Sequence, residues 1–145
     1  MEIQVKRLNE RAKIPTFGTE FSAGADLYCA EDKEVVIESG GKYSLSTGIS
    51  TEIPEGYVGL VFPRSGLACK NGLRLCNSVG VIDSDYRGEI RVVLYNDIKV
   101  AREIKPGERV AQMIIMPYPK VTFTEVEELS DTVRGESGFG GTGRF

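Results

Sequence analysis

The stretch N-S-V-G-V-I-D-S-D-Y-R-G-E-I-R-V-V-L-Y, residues 77–95, decides how this chain is to be read. Val79, Val81 and Ile82 form an apolar run, Gly88 closes a turn rich in Asp and Ser, and residues 89–95 alternate apolar and polar side chains. Strand side chains repeat every two residues and tight turns favour Gly and Asp, so this order predicts a β-hairpin with residues 83–88 at its tip. A hairpin tip is a rigid mount for side chains. Asp83 stands at the end of the apolar run, where partial burial would raise its proton affinity and poise it as a general base. Tyr86, three residues on, offers a flat ring to a ligand. Asp and Gly are equally the ordinary formers of such turns, so the hairpin alone assigns no function.

The same period of two recurs along the chain. Ile3 and Val5, Val35 and Ile37, Tyr43 and Leu45, Val58 with Leu60 and Phe62, Ile90 with Val92 and Leu94, and Val110 with Ile114 and Met116 all alternate, separated by Gly, Pro, Asp or Asn. Many short strands with turn punctuation predict an all-β fold, a sandwich or barrel. In two of these strands the second face is apolar as well: Val93 and Tyr95 in one, Ala111, Met113 and Ile115 in the other. A strand apolar on both faces is buried on both, which in so small an antiparallel protein points to a subunit interface. The one helix candidate is short, residues 64–70, and ends at Asn71-Gly72.

With 145 residues the chain fits a single domain, long enough to bury roughly 70% of its unfolded surface. Hydrophobic content of 41% and 18 basic against 21 acidic residues describe an ordinary globular protein, with no broad basic surface for nucleic acid or membrane. An anionic ligand then requires locally placed arginines. There is no histidine, so acid–base chemistry falls to carboxylates, Tyr, Lys or Cys. Cys29, Cys69 and Cys76 are an odd number without a C-x-x-C pair, which indicates neither a disulfide framework nor a zinc site. They read as buried, reduced thiols of a cytosolic protein. The first residues, M-E-I-Q-V-K-R-L, lack the apolar core of a signal peptide, and no segment has the ~20 apolar residues of a membrane helix.

Two further segments carry chemistry. In P-R-S-G, residues 63–66, Pro63 and Ser65 are compatible with a helix start, whose free N–H groups favour an anion; Arg64 would add a bidentate phosphate partner. In R-G-E-S-G-F-G-G-T-G-R-F, residues 134–145, glycine abundance and the near absence of aliphatic residues leave too little apolar surface to fold alone. Its glycines let successive N–H groups converge on phosphate oxygens, with Arg134 and Thr142 adding a charge and a hydroxyl. Phe139 is placed to stack on a planar base, worth ~1–3 kcal/mol.

Together these motifs resemble the homotrimeric dUTPase family over nearly the full length. Five segments occur in the family's order: A-G-A-D-L-Y (23–28), P-R-S-G (63–66), the 77–88 stretch, P-G-E-R-V-A-Q (106–112) and the Gly-rich tail. The resemblance implies a jelly-roll-like β-sandwich with one short helix, assembled as a homotrimer whose active sites are shared. It divides the chain into a β domain, residues 1–131, and an arm, residues 132–145, that closes over the site. The implied reaction is Mg2+-assisted hydrolysis of dUTP to dUMP and pyrophosphate, which keeps uracil out of DNA and supplies dUMP for thymidylate synthesis. The implied setting is cytoplasmic, or nuclear or virion-associated depending on the source.

By the same resemblance Asp83 activates the water that attacks the α-phosphorus, and Tyr86 packs under the deoxyribose and leaves no room for a 2′-hydroxyl. Asn77, with Gly80, Val81 and Ile82, reads the uracil edge. Arg64, Ser65 and Gly66 bind phosphate, and Gln112 contacts phosphate or the catalytic water. Asp26 reaches the metal through water or supports the site. Arg134, Phe139, Gly140 and Thr142 belong to the closing arm. Two positions depart from the family's usual R-G-x-G-G-F-G-S-T-G: Ser137 stands for a glycine, and Gly141 for the serine before Thr142. A dCTP deaminase of the same fold would carry a glutamate where, aligned on Asn96, this chain has Val93. A nucleotide-sensing trimer that does not hydrolyse would have no need of Asp83. One outcome follows from the arm alone: removing residues 134–145 is expected to lower kcat/KM for dUTP by about ten-fold or more, since substrate-ordered lids complete a site. An unchanged value in a steady-state pyrophosphate assay would remove the arm from the reaction.

Overall fold

The computed structural model describes residues 1–138. Twelve strands and one helical turn are found among them: β1 (Gln4–Arg7), β2 (Thr16–Phe17), β3 (Ala25–Tyr28), β4 (Val35–Ile37), β5 (Lys42–Ser46), β6 (Ile49–Glu52), β7 (Tyr57–Phe62), β8 (Leu73–Leu75), β9 (Gly80–Ile82), β10 (Arg91–Asn96), β11 (Arg102–Ile104) and β12 (Arg109–Pro117), with the turn at Gly66–Lys70. Every ladder is antiparallel. One sheet runs β2-β3-β12-β7-β9, a second β5-β10-β8, and the pairs β1-β6 and β11-β4 complete the sandwich. The all-β sandwich expected from the period of two, with the jelly-roll-like form implied by the family resemblance, is the one observed. Among the described residues no helix is long and apolar enough to cross a membrane.

The core lies between the two larger sheets. Leu45, Val92, Leu94, Leu73 and Leu75 project from one, Leu27, Val61, Ala111 and Met113 from the other, and Ile37, Ile49 and Ile104 fill the ends. At the end of β10 the fully buried Asn96 donates from its amide nitrogen to the carbonyls of Ile37 and Val100, both at 2.9 Å, and accepts from the Ile98 N–H at 3.2 Å. A buried amide satisfied on donor and acceptor sides ties β10 to β4 and to the following loop without a desolvation deficit.

The strand pairing corrects three readings of the sequence. First, the runs on either side of the 83–88 turn do not pair with each other: β9 pairs with β7, whereas β10 lies between β5 and β8. Residues 83–90 therefore carry the chain from one sheet to the other. The tight reversal falls earlier, where Ser78 adopts φ +63° and the Val79 N–H donates to the Asn77 carbonyl at 2.7 Å.

Second, the inward parity of β7 is Gly59 and Val61, leaving Val58, Leu60 and Phe62 half-buried on the outer face. Gly59 faces inward because Ile53, Met113 and Ile82 already fill the space: an added Cβ would stand 2.8 Å from Ile53 Cδ1. In β12 a bulge between Arg109 and Ala111 shifts the phase, so Ala111 and Met113 face the core while Ile114 and Met116 face out. A single extra residue moves every following side chain to the opposite face. Tyr43, expected to share a face with buried Leu45, is likewise exposed.

Third, only Cys29 is a buried thiol; Cys69 and Cys76 are exposed. Burial pushes the Cys29 thiol up, and the charges of Glu31 and Glu108 act the same way against a hydrogen bond from the Glu31 backbone.

The segment after the turn is clamped to the reversal between β5 and β6. Glu89 Oε1 accepts from the Ser46 hydroxyl and, at 2.9 Å, from the Gly48 N–H, while its Oε2 accepts from Arg91 Nη1 at 2.8 Å. Thr47 Oγ1 donates to the Ile90 carbonyl, and the Ile90 N–H donates to the Ile49 carbonyl at 2.9 Å. Burial alone would push the Glu89 carboxyl up, but these donors and the Arg91 charge together hold it below its ordinary value. The clamp's ionic contribution to stability is therefore complete above that ordinary value and is lost as pH falls through the lowered one. Glu89→Gln is expected to cost about 1 kcal/mol near neutral pH, and the melting curves of the variant and the wild type are expected to converge on acidification. Parallel curves across the acid range would contradict this.

Candidate functional site

Strand register assembles the first group of functional side chains. On the outer face of the five-stranded sheet Asp26 of β3 lies opposite Gln112 of β12, and Gln112 lies opposite Phe62 at the end of β7. Two residues beyond Phe62 the chain turns back with Arg64, whose Nε donates to Asp26 Oδ1 at 2.8 Å. Arg109, at the start of β12, donates from Nη1 to Asp26 Oδ2 at 3.2 Å. Asp26 is thus a buried carboxylate, 7% exposed, held between two guanidinium groups that line a cleft of about 440 Å³; Arg64 also donates from Nη1 to the Arg109 carbonyl at 3.5 Å. Gln112 donates from Nε2 to the Pro63 carbonyl at 3.1 Å, which fixes its amide and turns its oxygen toward Gly24. A Cβ on Gly24 would stand 2.5 Å from Gln112 Oε1; the glycine is required by this close approach.

Ser65 and Gly66 border the same cleft. The helix expected over residues 64–70 is confined to Gly66–Lys70 and is wound more widely than an α-helix. Ser65 precedes it in helical conformation, φ −55° and ψ −39°, and its side chain caps no backbone N–H. The hydroxyl is therefore free for a ligand. Two guanidinium groups, a hydroxyl and a carboxamide around one concavity form a receptor for an oxyanion.

A second cleft, of about 310 Å³, is formed by Val81, Ile82, Asp83 and Tyr86 with Glu89 and Arg91. Tyr86 donates from its hydroxyl to the Glu89 carbonyl at 3.0 Å. Asp83 is exposed, so the partial burial expected for it is absent within one chain; it also borders a cleft of about 790 Å³ with Glu52, Asp85 and Arg87. Asn77 and Gly80 line neither cleft; they neighbour each other, since a Cβ on Gly80 would meet Val61 at 3.2 Å and the Asn77 amide nitrogen at 3.6 Å. Arg134 is exposed and bonds within its own segment, Nε to the Ser137 carbonyl at 2.9 Å. The expected roles of Phe139, Gly140 and Thr142 lie outside the described residues.

The two clefts share no lining residue. Among the described residues the anion receptor has no unengaged carboxylate in its lining, and the cleft of Asp83 and Tyr86 has one arginine, Arg91, whose guanidinium is taken up by Glu89 and Ser44. Arg109 was not singled out in the sequence, although it lies three residues before Gln112 in the P-G-E-R-V-A-Q segment; nothing in the spacing betrays its bond to Asp26. As to metals, no group of three or more Cys, Asp or Glu suited to an ion occurs among the described residues. Both oxygens of Asp26 are already engaged by arginines, so Asp26 does not fit direct ligation.

A β-sandwich with a guanidinium-rich anion receptor and a separate carboxylate–aromatic cleft has the parts of a protein that acts on a phosphorylated, ring-bearing ligand. The dUTPase family's sequence profile matches residues 10–143. Deoxyuridine 5′-triphosphate nucleotidohydrolase of Nautilia profundicola is 49% identical over 144 residues, 99% of this chain and 100% of that protein; its counterpart in Hydrogenobaculum sp. is 48% identical over 143 residues, 99% of each. Among solved structures, the dUTPase of Staphylococcus bacteriophage 80alpha with dUPNHPP superposes with a TM-score of 0.91 at 32% identity, covering 98% of both chains. A phage phi11 dUTPase variant, described for its coordination of a structural Mg(II) ion, superposes with a TM-score of 0.80 at 28% identity, covering 88% of this chain and 98% of that one. The chain belongs to the dUTPase family.

The Gly24 contact yields a direct test. Gly24→Ala is expected to drive the Gln112 amide off the Pro63 carbonyl and to lower kcat/KM for dUTP by about ten-fold or more, as small misplacements of positioning groups do. Because the displaced atom ends a flexible side chain, the melting temperature is expected to move by only a few degrees; steady-state kinetics with a melting curve checks both.

Proposed function

We propose that this chain is a dUTP diphosphatase in which Asp83 of one subunit acts on a triphosphate held by Arg64, Ser65, Gly66 and Gln112 of another. The observation that carries the reading is the separation, within one chain, of two clefts that each hold half of a hydrolytic site. In a homotrimer the halves meet between subunits. Its support is an unpartnered apolar surface: on the outer face of the five-stranded sheet Ile114 lies opposite Leu60, and Leu60 opposite the exposed Val81. An uncovered apolar row of this kind on one sheet face marks association.

In the proposed reaction a water is deprotonated by the Asp83 carboxylate and attacks the α-phosphorus in line with the departing pyrophosphate. Arg64, with Arg109 steadied alongside it by Asp26, offsets charge on the phosphate oxygens, and the Ser65 hydroxyl donates to one of them. Gln112 orients phosphate or water from its fixed amide. The Mg2+ implied by the family would ride on the phosphates and keep several waters, Asp26 reaching it through one of them; bound there it offsets phosphate charge. Arg134, Phe139, Gly140 and Thr142 close the site as an arm, residues 132–145.

Base choice follows from polarity. Uracil presents an N3–H donor beside an O4 acceptor and cytosine reverses both, so the backbone of residues 80–82, with Asn77, would leave groups unpaired against dCTP at ~1–3 kcal/mol each. Thymine adds only a methyl and must be excluded by shape. A deaminating role is disfavoured by Val93, half-buried opposite Ser44 where that chemistry needs an acid.

Asp83→Asn is expected to lower kcat by about 10²–10⁴ while dUTP affinity stays within a few-fold, measured by pyrophosphate release and by equilibrium binding. Inactive Arg64→Ala and Asp83→Asn proteins, unfolded and refolded together, are expected to regain activity that neither shows alone, because a mixed trimer contains one intact pairing. Absence of recovery despite mixed assembly would place both halves in a single chain.

A further inference from the structure

Tyr86 is held from two directions by groups for which neither the motif comparison nor the proposed mechanism supplies a role. Its ring lies against Gly88 so closely that a Cβ there would overlap the phenol carbon Cζ, 2.5 Å away. Its hydroxyl donates to the Glu89 carbonyl at 3.0 Å. Glu89 in turn cannot drift, because its carboxylate is bound by Ser46, Gly48 and Arg91, and Arg91 is fixed to the Ser44 carbonyl at 2.6 Å. Tyr86 is 45% exposed and borders the 310 Å³ cleft. An exposed tyrosine without a seat would sample several rotamers and would hold no fixed wall against a ligand.

We propose that Glu89 is a positioning residue for sugar selection: by locking the end of the 83–88 turn to the β5–β6 reversal it holds the Tyr86 ring where a 2′-hydroxyl would otherwise be admitted. This rests on the reading above that Tyr86 packs against the deoxyribose. A wall excludes an added hydroxyl only as well as it resists displacement. The energy that resists lies in the Glu89 clamp and the Tyr86 tether, not in the ring itself. The side chain of Glu89 acts through the backbone, since the atom that accepts from Tyr86 is its carbonyl oxygen.

The test compares kcat/KM for dUTP and for UTP in the wild type, Glu89→Ala, Glu89→Gln and Tyr86→Phe, with a melting curve for each. The dUTP-to-UTP ratio is expected to fall about ten-fold or more in Glu89→Ala, the range in which a pocket gains or loses discrimination against one added group. It is expected to fall about three-fold in Tyr86→Phe, which keeps the ring and loses one hydrogen bond. Glu89→Gln keeps an acceptor for Ser46 and Gly48 and is expected to recover most of the ratio. The loss is expected mainly as improved use of UTP, whereas a merely structural defect would lower both substrates together. A folded Glu89→Ala protein with the wild-type ratio overturns the inference; should that variant not fold, an unchanged ratio in Tyr86→Phe overturns it instead. Wild-type protein that releases no pyrophosphate from dUTP would overturn the functional reading and this inference with it, whereas active wild type with unaltered ratios in the variants overturns the inference alone.

Discussion

The arrangement of the anion-binding half of the site depends on one carboxylate placed between two guanidinium groups. Asp26 reaches that position through ladder register alone, β3 against β12 and β12 against β7. Ion pairs with partly exposed arginines add little to stability, and these two arginine side chains are 28% and 49% exposed. Their value is geometric. Without the carboxylate, Arg64 and Arg109 would repel each other across the cleft and spread into solvent; with it, both guanidinium groups stay on the lining of one cleft, Arg64 also donating from Nη1 to the Arg109 carbonyl at 3.5 Å. A receptor held open in this way needs little reorganisation when an oxyanion arrives, the condition under which electrostatic stabilisation is most effective.

The other half depends on a crossing rather than a ladder. Residues 83–90 leave the five-stranded sheet at β9 and enter the three-stranded sheet at β10, so neither sheet alone determines where Asp83 and Tyr86 point. The clamp formed by Ser46, Thr47, Gly48 and Ile49 on Glu89 and Ile90 supplies what a hairpin ladder would have supplied. Buried Asn96 at the far end of β10 anchors the same strand to β4. The crossing itself is held at one end by the pairing of β9 with β7 and at the other by the clamp on Glu89 and Ile90, so it can present exposed side chains from a fixed backbone.

The β class and the residues gathered at the anion cleft were legible in the sequence for different reasons. Alternation in residues 35–37 and 90–94 reads directly because those strands are buried on one face without interruption. In β7 and β12 the same rule chose the wrong face: Val58, Leu60 and Phe62 look like core because they are apolar, whereas the true inward residue Gly59 carries no side chain to signal itself. The bulge at Arg109–Ala111 leaves no composition signature at all. Asp26, Arg64, Ser65 and Gln112 were found through motif order, but the bond from Arg109 to Asp26 spans 83 residues of sequence, and local spacing cannot encode such a partner. The pairing of β9 with β7 rather than β10 escaped for the same reason: a turn between two strands says that they are consecutive, not that they share a sheet.

The misread faces bear on how the halves come together. Apolar residues on both sides of β12 are incompatible with a solvated outer face, and once the inward set is Ala111 and Met113, the outward set, Ile114 and Met116 beside Leu60 and Val58, is what remains for a neighbouring subunit. That surface continues directly into the anion receptor, because Gln112 and Phe62 form the next row along the same strands. On the proposed assembly, a subunit that covers the apolar rows must bring its own edge to the rim where Arg64 and Ser65 stand. The same association then supplies Asp83 with the surroundings that it lacks in one chain: bulk water is excluded only when a second subunit and the nucleotide close over it. On that proposed assembly, association and phosphate binding draw on one face of one sheet, and the outward apolar phase of β12 is the feature that joins them.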